Sequence, residues 1–293
     1  MRVTTRMLFD THRLEISKSA ERLLEYQKRV ASGKRINKPS DDPMGLKMVL
    51  GYRTDKSRIA QYQRNVDQAN SWLVLADNAL AGIESALERA VEVAMVQASD
   101  TSSASNRMSA AMEVENIFDQ IMQLANTRLG NRSIFAGTRT DITPFTKDAA
   151  YNITYQGDNK TIDLYISQNI SVTVNLTGKE VFIDSNIFGI LKDLRDSLLS
   201  NDRDGIAQQL PLLDNALASV GGNQSKIGAK NNRIDTMKVQ LQNVDLRITE
   251  LMSNLEDADM FQAITELTNQ QIIYEATLRT ISLVSDLNLA KFL

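Results

Sequence analysis

"IAQYQRNVDQANSWLVLADNALAGIESALERAVEVA", residues 59–94, sets the architecture of this chain. Ile59, Tyr62, Val66, Ala69, Leu73, Ala76, Leu80, Ile83, Leu87, Ala90 and Ala94 follow one another at alternating spacings of three and four. Residues so spaced share one side of an α-helix, and a stripe this long implies coiled-coil-like packing. At 1.5 Å per residue the helix is about 55 Å long, a length that a compact enzyme seldom needs. Several stripe positions are Ala, which lets a partner helix approach closely.

The flanking segments extend the pattern. Phe9, Ile16, Ala20, Leu23 and Val30 form one stripe near the N-terminus. After a polar break, "SDTSSASN" at 99–106, Val114, Ile117, Ile121 and Leu124 predict a third helix ending near Leu129-Gly130. From about 139 to 183 the texture changes. "NITYQ", "TIDLYIS", "ISVTVNL" and "EVFI" alternate with period two and are rich in β-branched residues, which predicts short strands. Turns are expected at Gly157-Asp158-Asn159 and Thr177-Gly178-Lys179. Helices resume near 186, with Leu210, Leu213, Leu217 and Val220 on one face until "VGGNQS" breaks it. A last helical region carries Leu241, Val244, Ile248, Leu251, Leu255 and Ala258, then Leu267, Tyr274, Leu278 and Ile281.

The expected fold is therefore mainly α. It is a long antiparallel coiled-coil-like helical rod with paired terminal helices and a small β-rich inserted domain. Residues 1–44 with 256–293 are the terminal helical segments, 45–138 with 186–255 the rod domain, and 139–185 the β insert.

Between the first two helices lies "ASGKRINKPSDDPMGL", residues 31–46. Asp41 and Asp42 are neighbours whose side chains diverge, whereas a metal ion needs several oxygens converging on one point. "SGKR" lacks the glycine spacing of a phosphate loop. A helix boundary accounts for each residue. Gly33 suits a left-handed C-terminal cap, and Pro39 keeps Lys38 out of the helical region. Asp42 is a good N-cap and Pro43 a good first helical residue. The stretch is expected to be a hinge, with Gly33, Pro39, Asp42 and Pro43 as its hinge and cap residues.

Composition narrows the function. The 293 residues include no Cys and a single His, His12. Thiolate metal sites and cysteine nucleophiles are excluded, and a Ser-His-Asp triad or zinc site would have to be built on one histidine. No catalytic residue, cofactor or metal is expected. Net charge is −3, which gives no global case for nucleic acid. No window has the apolar length of a membrane span, and the N-terminus lacks the pattern of a cleaved secretory signal.

The charge is unevenly placed. Residues 1–38 hold ten basic and four acidic side chains, whereas 250–293 hold two basic and seven acidic ones. The ends are complementary and are expected to pair. Exposed ion pairs contribute roughly 0–1 kcal/mol each, against roughly 1.5–3 kcal/mol for burying a large apolar side chain. Burial should hold the ends while charge orients them. Two helices cannot cover both of their apolar faces, so the termini are expected to complete their folding against neighbouring subunits.

"SGKRINKPSDDPMGL" and "QRNVDQANSWLVLADNALAGIE" (63–84) resemble the N-terminal signature of the flagellin superfamily. The start "MRVTTRML", "RLGNRSIFAGTRTDITPF" (128–145) and the ending "YEATLRTISLVSDLNLAKFL" are similar to its hook-associated branch, whereas flagellin itself usually carries "DDAAGL" where this chain has "DDPMGL". The resemblance implies a structural protein of the bacterial flagellum, exported unfolded without a cleaved signal peptide. Such a subunit joins the hook to the filament outside the cell. The implied partners are hook-associated protein 1, flagellin, further copies of the chain in a ring, and an export chaperone in the cytoplasm. No nucleic acid and no membrane insertion are implied. The assembly interface would fall on Phe9, Ile16, Leu23, Val30, Tyr274, Leu278, Ile281 and Leu287. A flagellin proper, or an intracellular coiled-coil adaptor, is the alternative.

Limited proteolysis of the free subunit is expected to trim both ends and leave a resistant core from roughly 45 to 255. Equally resistant ends would contradict completion of the termini by neighbours.

Overall fold

In the computed structural model, residues 5–100 and 102–289 are described. Six α-helices dominate: α1 (Thr5–Ser32), α2 (Pro43–Gln97), α3 (Ala104–Ala125), α4 (Ile187–Leu199), α5 (Arg203–Glu256) and α6 (Met260–Leu289). Six short strands lie between α3 and α4. The chain divides into two compact units. Unit 1 is residues 1–58 with 243–293, and unit 2 is residues 59–242. The helices α2 and α5 each contribute to both.

In unit 2 the α2 stripe is the core. Val66, Ala69, Leu73, Ala76, Leu80, Ile83, Leu87, Ala90 and Ala94 are all at most 2% exposed. The buried surface is wider than one seam, because Trp72, Ala79, Ala86 and Val93 are buried as well. The reason is that α2 packs against two helices. Arg89 reaches Glu113 of α3 at 2.7 Å, and a methyl group at Gly82 would lie 3.0 Å from Leu124 of α3. On the other side Lys238 of α5 donates to Asp67 at 2.9 Å, and Arg203 pairs with Asp100 at 2.9 Å. These pairings make α2 antiparallel to α5. On α5 the buried residues Ile206, Leu213, Ala216, Val220, Ile227, Ile234, Met237 and Leu241 keep helical spacing.

Arg107 ties together the connections at this end of unit 2. It is 6% exposed. Its Nε donates to the Gln97 carbonyl at 3.1 Å, Nη2 to the Ser99 carbonyl at 3.1 Å, and Nη1 to Asn201 Oδ1 at 2.6 Å.

Three expectations are corrected. The helix α5 does not break at Gly221-Gly222, and it also contains Pro211. Each glycine costs about 1 kcal/mol in a helix, but buried Val220 and Ile227 on either side hold it straight through. Further along α5, Val244 and Leu251 are exposed while Ile248 and Leu255 are half-buried. "EVFI" is not a strand but part of a π-helical turn, Lys179–Ile183. A strand would send Val181 and Phe182 to opposite faces, yet both are buried. Finally, α3 ends at Ala125, before the expected Leu129-Gly130, and a hairpin β1 (Arg128–Leu129) with β2 (Arg132–Ser133) follows at once. Gly130, at φ +60°, makes its tight turn.

The remaining strands pair as antiparallel hairpins: β3 (Phe145–Lys147) with β4 (Ile153–Tyr155), and β5 (Asp163–Ser167) with β6 (Ile170–Thr173). They are joined to α3 through Asn126, whose side-chain amide exchanges two hydrogen bonds of 3.0 Å with the Phe145 backbone. Most of the sparse phenylalanine is concentrated here. Phe145 lies 5.0 Å from Tyr155 and Phe182 and 5.7 Å from Phe188, and Phe118 lies 5.2 Å from Phe188. Edge-to-face and offset contacts of this kind add about 0.5–1.5 kcal/mol each beyond area burial. The segment "SIFAGT" threads into the cluster, with Ser133, Ile134, Phe135 and Ala136 at most 1% exposed. Its Phe135 carbonyl accepts from Gly178 N at 2.8 Å and from the Tyr155 hydroxyl at 3.1 Å. Burial pushes the pKa of that hydroxyl up, against the Gly178 N–H that lowers it.

A Cβ at Gly178 would fall 2.6 Å from the Tyr155 ring, 2.7 Å from Phe145 and 2.8 Å from the Phe135 carbonyl. Gly178→Ala is therefore expected to destabilise unit 2 by about 1–3 kcal/mol, read as a lower midpoint in urea unfolding. An unchanged midpoint would contradict this packing.

Candidate assembly site

The first and last helices meet in unit 1. The helices α1 and α6 pack along each other, and a buried polar pair fixes their alignment. Gln270 is 7% exposed and Ser19 is 8% exposed. Gln270 Nε2 donates to Ser19 Oγ at 3.2 Å. Charge contributes at one end, where Arg29 lies 3.9 Å from Glu266. Among the expected interface residues, Ile16, Leu23, Val30, Tyr274 and Ile281 are half-buried. Leu278 is 41% exposed. The side chains of Phe9 and Leu287 lie outside the described residues.

A second set of apolar residues is uncovered. Met7, Leu14 and Leu24 on α1 are at least half exposed, as are Phe261, Ile264, Ile272, Ile273 and Leu283 on α6. Phe261, at 84%, is the most open of these. Sequence reading followed one stripe along α6 and passed over the others. The signal available was that apolar and polar residues alternate around all sides of α6, so no single face stands out.

Beside this pair the two helix breaks of unit 1 lie against each other. Gly33, at φ +68°, ends α1, and its N–H donates to the Arg29 carbonyl at 2.9 Å. The chain then pairs with the break between α5 and α6. Arg35 N donates to the Glu256 carbonyl at 2.7 Å, and Ala258 N to the Gly33 carbonyl at 2.9 Å. Lys34 and Asp257 form an antiparallel bridge.

Side chains reinforce the contact. The Glu256 carboxylate is 4% exposed and takes Lys34 Nζ at 2.9 Å and Arg53 Nη2 at 2.5 Å, both on Oε1. Its Oε2 is buried without a hydrogen-bond partner. Arg35 Nη2 donates to the Leu255 carbonyl at 2.8 Å. Ile36, 3% exposed, is the apolar anchor of the segment.

Asp41 and Asp42 have separate tasks. Asp41 Oδ2 accepts from the N–H groups of Asn37 at 2.9 Å and Lys38 at 3.0 Å, which folds the loop around Pro39. Asp42 Oδ1 accepts from Gly45 N at 2.8 Å, the geometry of an N-cap for α2, while Pro43 opens the helix. Burial raises the Asp41 carboxyl, but the two backbone donors outweigh it and hold the pKa below the ordinary 3.8. Asp42 is held below 3.8 chiefly by Gly45 N–H, with Arg35 contributing. Both aspartates therefore serve the backbone. Ser133 does as well, donating to the Ile142 carbonyl at 2.6 Å from a fully buried position.

No group of three or more His, Cys, Asp or Glu able to hold a metal occurs among the described residues. No helix among them is long and apolar enough to cross a membrane. The single histidine is only partly exposed, and its Nε2 has no hydrogen-bond partner.

Long helices at both ends of the chain flank a small β segment. The model of the bacterial flagellin N-terminal helical region matches residues 3–140, and that of the C-terminal helical region matches residues 210–293. Together the two match more than half of the chain, and the chain belongs to the flagellin family. It is 24% identical to flagellar hook-associated protein 3 of Escherichia coli, over 99% of this chain and 98% of that protein. A putative flagellar hook-associated protein from Vibrio parahaemolyticus shares the fold at TM-score 0.69 and 20% identity, covering 74% of this chain and 100% of that one. The flagellar junction protein FlgL from Legionella pneumophila does so at 0.60 and 16%, covering 72% and 100%.

Asp42→Ala removes the cap of α2 and is expected to lower the thermal stability of unit 1 at neutral pH. A depressed folded pKa gives stability that is complete above the unfolded value and is lost as pH falls through the folded one. The gap between wild type and variant in thermal unfolding should thus narrow below the ordinary 3.8. A gap that stays constant down to pH 2 would rule out the charged cap.

Proposed function

We infer that the chain is a structural subunit of the bacterial flagellum that joins the hook to the filament. The observation that carries this is the end-to-end match to hook-associated protein 3, which extends through the β segment as well as the two helical regions. On this reading the termini are assembly elements. The apolar residues left open on α1 and α6 are covered by neighbouring copies and by the adjoining proteins. Head-to-tail contacts of this heterologous kind generate rings or helical lattices. The partners on either side are hook-associated protein 1 and flagellin.

Before assembly the same open faces would need protection, which is the role of an export chaperone in the cytoplasm. The subunit then works outside the cell. The function on this reading is structural.

Two measurements test the reading. Deleting the gene should leave hooks without filaments and release flagellin into the medium, seen by electron microscopy and in culture supernatants. A paired Phe261→Ser, Ile272→Ser variant should keep the urea midpoint of the free subunit but fail to restore filaments. Filaments that form normally on the deletion background would refute the junction role. A subunit that coats the whole filament would identify a flagellin instead.

A further inference from the structure

We propose that Glu256 is the pin of a latch that couples the two helix breaks of unit 1 into one hinge, so that α1 and α6 loosen and settle as a pair. The breaks at 33–42 and 257–259 are far apart in sequence, and each alone would let its terminal helix move independently. They are instead cross-braced by backbone bonds, Arg35 N to the Glu256 carbonyl at 2.7 Å and Ala258 N to the Gly33 carbonyl at 2.9 Å. Glu256 closes the brace from three directions. It is the last residue of α5. Its carbonyl holds the segment after α1, and its carboxylate holds Lys34 of that segment and Arg53 of α2.

The placement is costly, which argues for a role. A carboxylate with 4% exposure gives up most of its hydration, and Oε2 has no hydrogen-bond partner in return. In some proteins a buried charge fixes one arrangement against its alternatives. Lys34 and Arg53 retain 38% and 51% exposure. They can return to water if the carboxylate withdraws, whereas Glu256 cannot stay buried without them. The latch is thus asymmetric. Opening it strands one buried charge and frees two backbone N–H groups, on opposite breaks, at the same time.

The test is amide hydrogen exchange on the full-length free subunit, comparing wild type with Glu256→Gln. Glutamine keeps the shape and removes the charge. The amides of Arg35 and Ala258 should exchange about tenfold faster or more in the variant, scaled from a loss of at least 1.4 kcal/mol. Peptides from α1 and α6 should rise together by a common factor, while those of unit 2 stay unchanged. A second variant, Arg53→Met, leaves Glu256 charged but removes one cation and should produce the same paired rise. Faster exchange confined to one terminal helix would overturn the coupling. No change in either variant would overturn the latch. The readout uses the unassembled chain, so it stands or falls separately from the junction role.

Discussion

The structure depends on keeping water away from a very long helix. Most of the stability of a helix in a protein comes from packing an apolar face and not from propensity. In unit 2 that face is covered on two sides, by α3 and by α5. Alanine at positions 69, 76, 90 and 94 leaves room for close approach, while Leu73, Leu80 and Leu87 fill the space between. Burial of one such leucine is worth roughly 1.5–3 kcal/mol, more than an exposed pair such as Lys238–Asp67 can supply. The ion pairs set the antiparallel order, and the apolar stripe supplies the free energy.

The same accounting comes out differently in unit 1. Here α1 and α6 have only each other and the adjoining helix ends, and a two-helix pair has more apolar surface than it can hide. The open residues from Met7 to Leu24 and from Phe261 to Leu283 are the remainder. The opposite net charges of the two ends are used sparingly, at Arg29–Glu266 and around Glu256. Among the described residues, orientation is therefore fixed by a few polar contacts, Ser19–Gln270 and the braced breaks, and not by a ladder of salt bridges.

The β segment is a separate solution to a local problem. Its strands are too short to hold a sheet by themselves. An aromatic cluster with Phe145 at its centre stands in for the missing sheet area. Gly178 is required there because two rings and a carbonyl occupy the space a side chain would need. The "SIFAGT" motif belongs to this cluster, so its chemistry is packing.

The sequence alone determined the helical class, the stripe of α2, the break after Gly33 and the restart at Asp42-Pro43. Each is written in local spacing or in the conformational limits of single residues. Tertiary structure decided the rest. The course of α5 through Gly221-Gly222 depends on what packs beside it, and the π-helical turn at 179–183 depends on two adjacent residues sharing one core. The open face of α6 could not be read from periodicity, because a helix with apolar and polar residues mixed on every side offers no preferred one until α1 covers it. Nor could the bond between residues 33–35 and 256–258, since nothing local in either stretch reveals that chain ends more than two hundred residues apart will be braced together.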